Sequence, residues 1–350
     1  MRILICGYYG FNNAGDELIL ENLVTQLRVK FPQVSIKVLS RDTEKTSLQF
    51  NVGAVKRWNP LCVLSALFWS RLVLLGGGGL FQDRTSSFSL YYYLALILAA
   101  KLLFKKVYVC AVTINNMSPV NRRVAAVVLN LADKITVRES GSLAALKECG
   151  LNTDNISLTA DPVFLAPEEL KKKFNENPAV TFVLRSSDAR DPKAFARLAD
   201  AVSSAISARV QFVSFHKGLD EGSIKEVSGL TSAAHRVMAW ENVGELEELI
   251  RGSDIVVSQR LHGLILASLM GVPVIAVSDD PKIKMFMDDL SQKNCFSQSG
   301  FAPEAISRAV ADAWRNRESI SVELGRSVAA LRERSKNNIE YVAKLVWPQV

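Results

Sequence analysis

Residues 258–262 read Ser-Gln-Arg-Leu-His, followed by Gly263 and a mostly apolar run over 264–269. The chain has only three histidines, so an arginine and a histidine two positions apart are conspicuous. Residues 255–257 are Ile-Val-Val, which predicts a buried strand, and the spacing over 261–270 predicts the helix after it. Arg260 and His262 then fall on the turn at the carboxyl end of a strand, the edge at which open α/β sheets bind ligands. A fixed guanidinium beside a titratable imidazole suits a substrate that carries phosphate or carboxylate and needs a proton moved.

Other loops could supply the rest of a site. Residues 7–17 read Gly-Tyr-Tyr-Gly-Phe-Asn-Asn-Ala-Gly-Asp-Glu between a strand and a helix. Glycines there let backbone N–H groups approach a ligand, and a helix start favours an anion. Asn13, Gly15 and Asp16 are the candidate contacts, with Asp16 alternatively a plain helix cap. The loop is not G-x-G-x-x-G, so no dinucleotide is inferred. Four consecutive glycines, 76–79, follow the apolar run 72–75 and precede Leu80-Phe81-Gln82-Asp83. Bare amides at Gly77 and Gly78 would form an anion or sugar nest, and Gln82, Asp83 and Thr85 would recognise hydroxyls. Arg138 ends a strand at 135–137, with Glu139 as a ready ion-pair partner. Arg185 has the same placement in the second half. Lys282, in Asp280-Pro281-Lys282, follows the strand 274–277 and would add a point charge for phosphate. His216 and His235 have weaker settings. Three separated histidines without a carboxylate cluster give no metal site.

The composition narrows the class. A chain of 350 residues exceeds one ordinary core, so two domains are expected. It is 49% hydrophobic and 22% charged, as globular proteins are, with formal charge +7. That charge suits anionic ligands or an anionic membrane face. No arginine-rich run interleaves with aromatics, which argues against nucleic acid. Five scattered cysteines without a C-x-x-C pair read as reduced thiols in a cytoplasmic protein. The first residues enter a strand at once, without signal-peptide form. The apolar stretch 90–100 is too short to span a bilayer, although it or 61–69 could touch a membrane surface.

Strand-like and helix-like segments alternate almost throughout, which implies parallel sheets covered on both faces. The pattern restarts after a polar segment at 167–177. Two Rossmann-like doubly wound α/β domains are therefore expected, 1–166 and 167–350, facing across a cleft. The helical residues 305–345 are candidates to pack back on the first domain.

Taken in order, these motifs resemble the polysaccharide pyruvyl transferases, especially the bacterial CsaB type. The matching pieces are residues 7–17, 76–83, 135–138, Ala160-Asp161-Pro162-Val163, 260–265 and 280–282. The sequence departs from the family at 113–119, where a Gly-x-Gly-Pro-like turn is usual, and at Glu139, where Asp is usual. The resemblance implies a GT-B-like pair of domains. It implies a pyruvyl group taken from phosphoenolpyruvate and placed on a sugar as a cyclic ketal. The acceptor implied is a lipid-linked cell-wall saccharide containing N-acetylmannosamine. Arg138, Arg260, His262 and Lys282 fall on the family's donor-binding and acid positions. The residue chemistry agrees: fixed cations hold the carboxylate and phosphate, and His262 protonates C3 of the enol. Asp16 or Asp83 would be the base. Phosphoenolpyruvate is a co-substrate in this scheme, and no metal or resident cofactor is required. The first domain would take the acceptor and the second the donor. The rivals are a GT-B glycosyltransferase using a nucleotide sugar, and a saccharide-binding protein without turnover.

Overall fold

The computed structural model describes residues 1–83, 87–114, 117–148, 150–167, 172–186 and 191–346. Thr85, Asn115, Asn116, Cys149 and part of the expected boundary, 168–171, lie outside the described residues. The chain divides into two compact units. One is Met1–Ala166 with Leu331–Val350, and the other is Pro167–Ala330.

The first unit runs β1 (Arg2–Tyr9), α1 (Ala14–Lys30), β2 (Ser35–Ser40), α2 (Thr43–Phe50), β3 (Gly53–Lys56), α3 (Pro60–Trp69), β4 (Leu72–Phe81), α4 (Ser87–Leu102), β5 (Lys106–Ile114), α5 (Pro119–Leu129), β6 (Lys134–Val137), α6 (Ser140–Glu148) and β7 (Ile156–Leu158). All its strand pairs are parallel, in the order β3-β2-β1-β4-β5-β6-β7. The order reverses between β1 and β4. In an open α/β sheet that switch point opens the crevice where ligands bind. Asn13, Asp42 and Asn59 stop the preceding loops and cap α1, α2 and α3 through their side-chain oxygens.

The second unit runs β8 (Ala179–Val183), α7 (Pro192–Ile206), β9 (Arg209–Val213), α8 (Glu221–Leu230), β10 (His235–Met238), α9 (Val243–Arg251), β11 (Ile255–Ser258), α10 (Leu261–Leu269), β12 (Val274–Val277), α11 (Pro281–Asp289), β13 (Cys295–Phe296) and α12 (Pro303–Arg315). Its sheet is also parallel, in the order β10-β9-β8-β11-β12-β13, with the switch point between β8 and β11. Each sheet is the spine of its own apolar core. Val73, Val109 and Ile97 lie in the first core, and Phe182, Phe212 and Val257 in the second.

The helical tail begins in the second unit and ends in the first. Residues 305–345 form two helices, α12 and then α13 (Arg317–Val346), and Leu331–Val350 belong to the first unit. The reason is polar as well as apolar. Fully buried Asn338 donates to the carbonyl of Ala160 at 2.9 Å and accepts from Thr136 and Tyr108. Ser335 donates to the carbonyl of Asp161 at 2.9 Å. These bonds satisfy buried groups that no water reaches.

β4 corrects the sequence reading. It does not end at Leu75, as expected, but continues through the glycines to Phe81, paired with β5. The backbone bulges there, with φ of +64° at Gly77 and +75° at Gly78. A β-carbon on Gly77 would sit 2.7 Å from Ile19, and one on Gly78 2.8 Å from Asp16. The glycines let α1 lie close on the strand, which is a different use from an open nest of amides.

Candidate active site

The residues singled out in the sequence gather at two sheet edges, one in each unit. In the second unit Arg260 is the N-terminal cap residue of α10, and His262 lies in the first turn. Ser258 fixes the turn by accepting from the Arg260 amide at 3.0 Å and donating to its carbonyl at 2.7 Å. The guanidinium of Arg260 forms a two-pronged pair with Asp220, Nε to Oδ2 at 2.6 Å and Nη2 to Oδ1 at 2.5 Å. Asp220 is fully buried. It also accepts from the amides of His216 at 3.0 Å and Ser186 at 3.3 Å. One carboxylate thus ties together the loops after β8, β9 and β11. The pair consumes two of the five N–H groups of Arg260. The other three find no partner among the described residues, and the side chain keeps 17% of its exposure. Gln259 closes the switch point by accepting from the Arg185 amide at 2.9 Å.

Gly263 is needed by the same turn. A β-carbon there would meet Ser258 Oγ at 2.6 Å and Val183 at 3.3 Å. Ser258 Oγ cannot retreat without breaking both bonds to Arg260. Gly263→Ala is therefore expected to cost about 1–3 kcal/mol and to weaken anion binding at the turn, measured by urea unfolding and ligand titration.

β12 is the neighbour of β11, so its following loop leaves the same edge. Asp280 caps α11 there, accepting from the Lys282 amide at 3.2 Å, and the Lys282 ammonium lies 3.2 Å from Asp280 Oδ2. Arg260, His262, Lys282 and Arg185 thus share one edge of one sheet. His216 joins them after β9, whereas His235 lies on exposed β10.

In the first unit, Asn13 rather than Asp16 caps α1, accepting from the Gly15 amide at 3.3 Å. Asp16 is buried in the first turn, where Asn13 Nδ2 donates to it at 2.5 Å, and its carboxylate faces Gly78. Gln82 and Asp83 follow β4. Asp83 accepts from the Ser118 amide at 2.9 Å and from Asn121 at 2.7 Å. Those bonds to Ser118 and Asn121 hold its pKa below the usual carboxylate range. Asp83 is thus engaged in anchoring α5 and is a poor base.

Arg138 is likewise engaged. It is buried, donates from Nε to Thr113 at 2.7 Å, and is paired with Asp161 and with Glu139, the latter at 3.4 Å. Burial pulls its pKa down, but the two carboxylates outweigh this and the net shift is upward. A guanidinium buried this far needs such partners. Arg138 therefore organises the β6–β7 edge of the first unit.

Three groups escaped the sequence reading. Asp220 is one; only its pairing across forty positions reveals it. Arg57 is another. Buried after β3, it donates to the Gly7 carbonyl at 2.8 Å and faces the rings of Phe11, Trp58 and Tyr92 at 4.7–5.1 Å. Its Nε has no partner among the described residues. The third is Glu17, which accepts from the Gly10 amide at 2.8 Å and so pins the glycine loop. Burial pushes its pKa up to about 7, against the lowering effects of the Gly10 bond and Lys45. Below pH about 4.5 Glu17 is protonated folded or unfolded and has no effect. As pH rises towards 7 the unfolded chain ionises first, so stability falls, and above 7 the full penalty remains. Glu17→Gln is expected to stabilise the protein at pH 8, by up to about 3 kcal/mol, and to change nothing at pH 4. Melting curves across pH check this.

The four described cysteines are free, and burial pushes the thiols of Cys6 and Cys110 up to about 12. Neither serves as a nucleophile.

Two doubly wound Rossmann-like units with ligand-edge loops define the GT-B-like class of α/β proteins, and solved structures of that class resemble this chain over its whole length. Anabaena HepE in complex with UDP and glucose is 14% identical, with TM-score 0.64 and 99% of each chain covered. UDP-GlcNAc 2-epimerase from Neisseria meningitidis, bound to UDP-GlcNAc, is 14% identical, with TM-score 0.64 and 98% of this chain and 100% of that one covered. A glycosyltransferase from Rickettsia africae is 12% identical, with TM-score 0.63 and 99% of each chain covered. At these identities the likeness is one of fold. The chain itself belongs to the polysaccharide pyruvyl transferase family, whose model matches residues 13–281. The match begins at Asn13, spans the glycine run and the Arg260–His262 turn, and stops one residue before Lys282. No curated protein sequence matches the chain. It is a transferase of polysaccharide biosynthesis.

Proposed function

We propose that the protein transfers a pyruvyl group from phosphoenolpyruvate to a sugar of a cell-wall or exopolysaccharide precursor, forming a ketal and releasing phosphate. The observation that carries this reading is Arg260, rigidly held by Asp220 at a topological switch point, with three N–H groups left to give and His262 two residues on. A fork of that kind recognises carboxylate or phosphate. Lys282, leaving the same edge, adds charge for the phosphate.

The steps follow from the donor's chemistry. His262 gives a proton to C3 of the enol as a sugar hydroxyl oxygen bonds to C2. The phosphate leaves C2 with its bonding electrons, held by Arg260 and Lys282. A second hydroxyl of the same sugar then bonds to C2 and closes the ring; the first hydroxyl gives its proton to Asp16 and the second gives its proton to His262, replacing the one delivered to C3. The first unit takes the saccharide. Asp16 is the base for the attacking hydroxyl, and Arg57, Phe11, Trp58 and Tyr92 offer ring faces and a cation suited to sugar recognition. The donor is a co-substrate, so the scheme calls for no resident cofactor. The reaction belongs in the cytoplasm, and we assign a lipid-linked acceptor, with N-acetylmannosamine as the first sugar to try.

The test is incubation of the protein with phosphoenolpyruvate and cell-wall saccharide precursors. Inorganic phosphate release that requires saccharide, together with a pyruvylidene mass gain on that saccharide, is the expected result. Transfer of a hexose from a nucleotide sugar, with no use of phosphoenolpyruvate, would replace this reading by the glycosyltransferase one.

A further inference from the structure

The outer layer of the first unit exposes more apolar surface than folding explains. α3, α4 and α5 cover one sheet face, since Ala66, Leu67, Ile97 and Leu129 from their inner sides share a single core cluster. Their outer sides should then be polar. Instead α3 exposes Leu61, Leu64 and Phe68, at a spacing of three and four. α4 continues with Tyr91, Leu98 and Leu102, all within one helical stripe, and α5 with Val120, Val124 and Val127. Phe104, just beyond α4, is 96% exposed and holds φ of +55°, a conformation that favours glycine. Nothing inside the protein rewards a phenylalanine there.

The charge of the same segment identifies the occupant. Residues 58–131 contain seven Lys or Arg and a single acidic residue, Asp83, a balance of +6 in a chain whose total is +7. Asp133 pairs with Lys101 and Lys106, whereas Arg122 and Arg123 are exposed and make no ion pair among the described residues. Exposed apolar stripes beside unpaired arginines match a bilayer with anionic headgroups. No helix among the described residues is long and apolar enough to cross a membrane, so contact here means surface seating.

We infer that the α3–α4–α5 face seats the protein on an anionic lipid surface. The inference concerns this face alone and does not rest on the identity of the donor. The test is flotation with vesicles of phosphatidylcholine, with and without phosphatidylglycerol. Wild type is expected to float only with the anionic vesicles. Leu61→Ser/Leu102→Ser/Phe104→Gly and, separately, Arg122→Glu/Arg123→Glu are each expected to lower partitioning by about tenfold or more. Their melting temperatures should stay at or above the wild-type value, because every altered side chain is exposed. Wild type remaining in the soluble fraction would overturn the inference, as would a triple variant that floats like wild type. So would light scattering that shows a wild-type dimer dissociated by the triple variant, which would assign the face to a second copy.

Discussion

Arg260→Ala is expected to lose phosphoenolpyruvate binding and about 3–5 kcal/mol of stability together. The two losses have different causes and can be separated. Stability falls because Asp220, fully buried, is left without the guanidinium that takes both of its oxygens. Binding falls because the remaining N–H groups of Arg260 are the ones offered to the ligand. Adding Asp220→Asn removes the stranded charge and keeps one oxygen, enough for the amide of His216 or of Ser186 but not for both, since the two donate to different oxygens of Asp220. The double variant should therefore recover part of the stability and none of the binding. Urea unfolding and ligand titration of the two single variants and the double variant form a cycle that checks this. Recovery of binding in the double variant would mean that Arg260 acts only as a structural partner of Asp220.

His262→Gln is expected to reduce kcat by roughly 100- to 10,000-fold, the usual range for loss of a general acid, while leaving phosphoenolpyruvate affinity within a few-fold. Glutamine can still donate a hydrogen bond to phosphate but cannot give up a proton. A variant that loses affinity and keeps kcat would assign His262 to phosphate binding instead. The distinction matters because His262 sits beside Arg260, the arginine proposed to hold the donor, on a single turn, where one residue could perform either task. Single-turnover kinetics with a saturating donor separate the two outcomes.

How much of this was legible in sequence varies with the physics behind each feature. β1, β4 and β11 announce themselves because both faces of a central parallel strand are buried, giving unbroken apolar runs. β3 and β10 do not, because edge strands such as Gly53–Lys56 and His235–Met238 stay largely solvated and carry polar residues. The Arg260–His262 turn was legible from the apolar strand and helix that flank it. Asp220 was not, since nothing local marks it and its role exists only once β8, β9 and β11 lie side by side. The glycine run misled for a similar reason. A strand that bulges beneath a closely packed helix and a loop that opens a nest require the same residues. Only the contacts of Ile19 and Asp16 tell them apart. Arg138 looked like a ligand for an anion, and its burial against Asp161 and Glu139 was hidden because Asp161 comes from the loop after β7.

The most direct test of the central claim is ligand protection against heat, comparing phosphoenolpyruvate with UDP and UDP-sugars on wild type and on the Asp220→Asn/Arg260→Ala variant. A ligand that binds only the folded state raises the melting temperature. The expected result is a rise with phosphoenolpyruvate in wild type, none in the variant, and little with UDP-sugars. Protection by a UDP-sugar, with none from phosphoenolpyruvate, would contradict a pyruvyl donor site at the Arg260–His262 turn.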